Sequence, residues 1–190
     1  MIHKKEEKGG EIKISKMKKV LPVLLMIWPY LPILLIFVED PSGILPFVFD
    51  GLAVLVYILN IINAFTYKSA NQAKELAHYD MVIKLVHIPF YLMIFVFGVL
   101  MLATMLVPAL TGVAPIVIIM LAIVDALLMV TSSMYGVSAA LKGVRSGQIS
   151  GGKAVLLTVM HFIFVLDVIS AIILYTSMKK SVPEAVQQNA

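Results

Sequence analysis

Read for hydrophobic and polar positions, the chain resolves into five apolar runs separated by short polar or turn-forming stretches. The runs cover residues 20–38, 47–66, 85–107, 116–139 and 154–176. Each is close to the ~20 residues that carry an α-helix across about 30 Å of hydrocarbon. The pattern predicts an all-α integral membrane bundle of five transmembrane helices, bounded by a basic arm over 1–19 and a polar tail over 178–190. Pro22, Pro29 and Pro32 fall inside the first run and predict a kink there.

Between the runs the connections differ in kind. Residues 39–43 form an acidic turn, Glu39-Asp40-Pro41-Ser42-Gly43, and Pro108 to Pro115 is an uncharged link. Residues 67–84 are polar, with Lys68, Lys74, Glu75, His78, Asp80 and Lys84, and residues 141–153 carry Lys142, Arg145, Lys153 and the Gly151-Gly152 pair. Lys and Arg collect in the arm and in the 67–84 and 141–153 connections and avoid the other two, which sets the N-terminus in the cytoplasm. Five crossings then place the C-terminus outside, a position that only Lys179 and Lys180 oppose. If one span were re-entrant, the tail would return to the cytoplasm.

Composition agrees with the pattern. Of 190 residues 61% are hydrophobic and 14% charged, with a mean hydropathy of +0.99, outside the range of soluble domains. The segment 20–38 has no cleavage site after it and is expected to stay as an uncleaved span. The net charge of +4 lies beside apolar segments without an aromatic stacking pattern, so the expected counter-ion is anionic lipid at the cytoplasmic face and not nucleic acid. The absence of cysteine excludes disulfides, thiolate metal sites and a cysteine nucleophile. Abundant Ile, Met and Lys with no Cys point to a bacterial source.

Candidate chemistry is confined to the polar groups that the membrane makes expensive. An acid at a helix centre costs about 2.5–3.5 kcal/mol to insert, so it requires a partner, a cavity or a function. Asp125 and Asp167 lie at similar depth, roughly 10–15 Å below the outer edge of the core, on adjacent antiparallel spans. They are expected to form an ion or proton site with His161 as proton partner. Asn60, Asn63, Ser132 and His87 lie deeper toward the cytoplasm and are expected to line a polar column. Lys84, with His87, sits where side chains reach out to the interface. Asp125, Met129, Ser132, Gly136 and Ala140 share one helical stripe, in which Gly136 and Ala140 form a small-residue packing seam. His161 and Asp167 project about 120° apart on a straight helix, so both reach one neighbour only if the fifth span kinks.

Several sharper readings fail on the residues. A bis-His haem needs imidazoles at one depth, and His87 and His161 differ by roughly 7 Å. Neither aspartate sits in the Gly-x-Gly-Asp motif of intramembrane aspartyl proteases, and no metal-hydrolase signature occurs. No metal, cofactor or enzymatic activity is expected. Two functions remain: a membrane protein that binds or transports a small protonatable or cationic solute through a mid-membrane carboxylate site, or a non-catalytic accessory, assembly, immunity or regulatory subunit. Such a chain acts as a homo-oligomer or with a larger membrane partner.

Overall fold

A computed structural model describes residues 18–34, 37–38, 43–108, 110–163 and 165–187, with side chains to Lys180 except that of Leu34. The arm up to residue 17 and the Glu39-Asp40-Pro41-Ser42 turn lie outside these residues. All regular structure among the described residues is helical. Helix α1 spans 18–27, followed by a 3₁₀ turn, Trp28–Tyr30, and the short α2, Leu31–Leu34. Then come α3 (Leu45–Thr66), α4 (Gln72–Thr104), α5 (Ala114–Arg145), α6 (Gly151–Met160) and α7 (Leu166–Gln187). Helices α3, α4 and α5 are long and apolar enough to cross a membrane.

The prolines of the first run act through the carbonyls they leave without partners. A proline cannot donate to the carbonyl four residues back, so Pro22 and Pro29 free the carbonyls of Lys18 and Leu25. Asn63 Nδ2 donates to Lys18 O at 2.9 Å, and His87 Nε2 lies 3.1 Å from Leu25 O. The same segment tightens into the 3₁₀ turn at Trp28-Pro29-Tyr30. Tyr30 donates to Val86 O at 2.5 Å, beside Pro89 of α4. The first run is thereby fastened between α3 and α4.

The polar stretch 67–84, expected as a connection, is helix from Gln72 onward. Its buried positions, Ala73, Leu76, Ala77, Asp80, Ile83, Lys84 and His87, recur at three- and four-residue intervals, the signature of one helical face packed against protein. At 1.5 Å per residue, α4 is about 50 Å long, well beyond the ~30 Å of hydrocarbon, and the surplus is this amphipathic base.

The fifth run departs furthest from expectation. Instead of one helix over 154–176 there are two, α6 and α7, folded back on each other. Lys153 Nζ, in the first turn of α6, bonds Ser177 Oγ of α7 at 2.8 Å. Asp167 bonds Lys84 while the His78 ring lies 5.3 Å from the Tyr175 ring, so α7 runs antiparallel to α4. Ser133 contacts Asp167 and Met178 lies beside Gly143, so α7 runs parallel to α5. The turn between Met160 and Leu166 includes Val165 at φ 70°, a left-handed conformation costly for a β-branched residue. The described chain therefore ends at the same end of the bundle as α3 and α5. That end holds every described Lys and Arg except Lys84.

Helix α5 is the hub, touching α3, α4, α6 and α7, with its broadest contact on α4. At the basic end Lys18 and Lys142 donate to the carbonyls of Thr66 (2.9 Å) and Tyr67 (2.7 Å), so two cations cover the C-terminus of α3, where the helix dipole is negative. Tyr67 donates to Glu75 Oε2 at 2.5 Å; burial, then this bond, push its hydroxyl above the ordinary tyrosine range.

Candidate functional site: a buried four-residue ion cluster beneath an apolar cavity

Four ionisable side chains converge where the α6–α7 turn meets α4 and α5. Asp80, Lys84, His161 and Asp167 are all buried. Lys84 Nζ hydrogen-bonds Asp167 Oδ1 and lies 3.1 Å from Asp80 Oδ1, one turn back on its own helix. The second contact is an ion pair without hydrogen-bond geometry, since Asp80 Oδ1 has no hydrogen-bond partner among the described residues. Asp80 Oδ2 instead meets His161 Nε2 at 2.8 Å. Ser133 Oγ reaches both His161 O (2.8 Å) and Asp167 Oδ1 (3.2 Å), which ties α5 to both arms of the turn.

The break between α6 and α7 makes this convergence possible. On a straight helix His161 and Asp167 diverge; here His161 caps α6 and Asp167 sits in the first turn of α7, so both face α4. Gly136 supplies the room on α5. A Cβ there would lie 2.1 Å from His161 Nε2 and 2.7 Å from Asp80 Oδ2, so only glycine lets the His161–Asp80 pair rest against the helix backbone. Ala140, one turn on, is buried in the apolar core.

The other sequence candidates separate on the two flanks of α5. On the α3 side, the Tyr135 hydroxyl donates to Asn60 Oδ1 at 2.7 Å and accepts from Asn63 Nδ2 at 3.0 Å, while Ser138 donates to Ala64 O at 2.7 Å. These groups fasten α3 to α5 and stand apart from the ion cluster. Ser132 bonds Met129 O within its own helix at 3.0 Å, and His87 belongs to the contact with the first run. Asp125 takes no part in the cluster. Its side chain is partly exposed and its Oδ1 has no hydrogen-bond partner among the described residues, although Tyr91 lies within electrostatic reach of both Asp125 and Asp167. Lys84, expected to extend to the interface, is fully buried.

Directly above the ion cluster is a cavity of about 490 Å³ lined by Ile88, Tyr91, Leu92, Phe95 and Met129 of α4 and α5, and by Val165, Asp167, Val168 and Ile169 of the turn and α7. Leu92, Phe95 and Val165 are each 62% exposed, so the cavity opens sideways between α4 and α7. It exists because the α6–α7 hairpin stops short and leaves the upper half of α4 uncovered. Asp167 is the one charged residue in its wall among the described residues; the described bonds of this carboxylate run through Oδ1, and Oδ2 is not among the buried atoms lacking partners.

Residues 23–180 match a family described as a family of unknown function, DUF6652. The chain belongs to that family. The matched region contains the ion cluster, α6, most of α7 and the described cavity wall, and leaves out the basic arm. No curated protein matches the chain, and no solved structure does. Sequence reasoning placed Asp167 and His161 in the site but missed Asp80 and Lys84. Their signal was available: an acid and a base four apart, on the same stripe as Ala73, Leu76, Ala77 and Ile83.

Proposed function

We propose that this chain is a multi-pass protein of the cell membrane that binds a small, largely apolar solute carrying a cationic or protonatable group, with Asp167 as the solute's counter-ion. The observation that carries this reading is the cavity: about 490 Å³, within the 300–1,000 Å³ typical of ligand pockets, apolar throughout and closed at its floor by one carboxylate. An apolar wall with a single charge selects amphiphilic cations that partition into the bilayer and enter sideways between α4 and α7. The exposed apolar residues of α3, α4 and α5, such as Phe47, Leu55, Phe97, Leu100, Ile119 and Met120, are what contact with lipid requires and call for no protein partner.

The first run, α3, α4 and α5 are read as four crossings and α6–α7 as a hairpin entering from the basic end. Both ends of the described chain then lie in the cytoplasm. With that arrangement Lys179 and Lys180 join the other exposed cations on the inner face, as the positive-inside rule favours.

The direct test is binding of tetraphenylphosphonium, a lipophilic cation with no proton of its own, to the purified protein in lipid nanodiscs. Wild-type protein is expected to bind it saturably, Asp167→Asn to lose at least about tenfold in affinity, or ~1.4 kcal/mol, and Asp125→Asn to change it less. Equal affinity for wild type and Asp167→Asn, or no saturable binding, sinks the proposal.

A further inference from the structure

The hydrogen bonds around His161 fix how many protons the cluster holds. Nδ1 lies 2.6 Å from the carbonyl of Leu157, a group that can only accept, so Nδ1 carries a hydrogen; the nearby Ser170 Oγ, at 2.8 Å, directs its own hydrogen to Asp167 O. Nε2 then faces the carboxylate Oδ2 of Asp80 at 2.8 Å. Two such atoms form a hydrogen bond only with a proton between them, on one or the other. The charge count agrees. Two carboxylates and Lys84 alone leave one uncompensated negative charge in a buried site, whereas this additional proton makes the cluster neutral, the state that low dielectric favours. The groups facing His161 from α4 and α7 are Asp80, Lys84 and Asp167; from α5 they are Ser133 and Gly136, neither of which titrates.

We propose that the cluster exchanges this proton for the cation bound at Asp167, one for one. The proposal rests on the reading of Asp167 as the cavity's cation ligand. When a cation takes Asp167, it competes with Lys84 for the carboxylate. Lys84 has a second position ready: Asp80 Oδ1, 3.1 Å from Nζ, lacks a hydrogen-bond partner among the described residues and accepts the bond released from Asp167. Asp80 is then neutralised by Lys84, and the proton between Oδ2 and Nε2 becomes surplus. If it stayed, the cluster and its guest would carry a net positive charge in a buried site. It leaves to water, and His161 remains as neutral imidazole with its hydrogen on Nδ1. Before and after, the site is neutral: one proton out, one cation in.

The test is calorimetry of tetraphenylphosphonium binding to nanodisc-embedded protein near neutral pH, in buffers of different ionisation enthalpy. The slope of observed heat against buffer enthalpy counts protons released, and about one per cation is expected. The His161→Gln variant keeps a donor facing Asp80 and is expected to bind the cation with no proton release. Cation binding by wild-type protein with heats independent of buffer overturns the exchange and leaves Asp167's role intact. Proton release that persists in His161→Gln likewise overturns the exchange as drawn, because the released proton then does not depend on the imidazole that shares it with Asp80. Absence of binding removes both the exchange and the function it rests on. The buffer series needs only wild-type protein, so a poorly folding variant leaves the decision intact.

Discussion

Lys84 and Asp167, 83 positions apart in the chain, are hydrogen-bonded in the interior, and this bond joins the hairpin to α4. Replacing Lys84 by Met keeps most of its volume but leaves two carboxylates without their cation, a change that costs about 3–5 kcal/mol at buried pairs. The Lys84→Met protein is expected to unfold at markedly lower temperature in a detergent or nanodisc melt. Adding Asp167→Asn removes the orphaned charge and is expected to recover part of the loss. A Lys84→Met melt equal to wild type would mean that the cluster contributes nothing to stability.

Gly136 is expected to tolerate no side chain. The nearest atoms to an added Cβ belong to the His161 ring and the Asp80 carboxylate, and both are held by their own bonds, so relief requires moving α6 away from α5. Overpacking of this kind typically costs about 1–3 kcal/mol. Gly98 has nothing within 4 Å of its would-be Cβ, so Gly98→Ala serves as the control. A melt comparison in which Gly136→Ala matches Gly98→Ala would contradict the packing of the His161–Asp80 pair.

The prolines of the first run make a coupled prediction. His87 contacts the Leu25 carbonyl that Pro29 leaves free, so the worth of His87 depends on the proline. His87→Leu alone leaves that carbonyl unsatisfied in a buried setting. In Pro29→Ala the backbone N–H returns and takes the carbonyl, so His87→Leu costs less in that background. A double-mutant cycle read by unfolding is expected to give a coupling of about 0.6–1.7 kcal/mol, between the average and the largest value measured for polar contacts between membrane helices. Strict additivity would show that the two residues act independently.

How much of this was legible in the sequence depends on which physical signal each element carries. Helix α3, at Leu45–Thr66, falls where its apolar run does because length and hydropathy alone decide it. The base of α4 was hidden by its polarity: hydropathy reads Lys74, Glu75, Asp80 and Lys84 as a connection, whereas the periodicity of Ala73, Leu76, Ala77, Ile83 and His87 already describes a buried helical face. The turn between α6 and α7 carries no Gly or Pro in His161-Phe162-Ile163-Phe164-Val165-Leu166-Asp167, so no local rule marks it. Beside its local backbone bonds, it is held by groups from elsewhere in the chain, from Ser133 to the His161 carbonyl and from Lys84 to Asp167. Two oblique signs did point to it: the 120° divergence of His161 from Asp167, and two lysines on what five crossings would make the outer side.

Those two lysines lead to the prediction with the sharpest outcome. Because the chain contains no cysteine, single cysteines report sidedness without a background to remove. Ser146→Cys lies in the α5–α6 connection, Gly112→Cys in the α4–α5 connection at the opposite end, and Ser181→Cys just beyond Lys180 in α7. A membrane-impermeant maleimide applied to intact cells is expected to label Gly112→Cys and to spare Ser146→Cys and Ser181→Cys, which become reactive only once the membrane is opened. A straight fifth crossing predicts the reverse for Ser181→Cys. That result would also remove the cavity, because a continuous helix would cover the upper half of α4 and carry His161 and Asp167 to faces that cannot both meet Lys84 and Asp80.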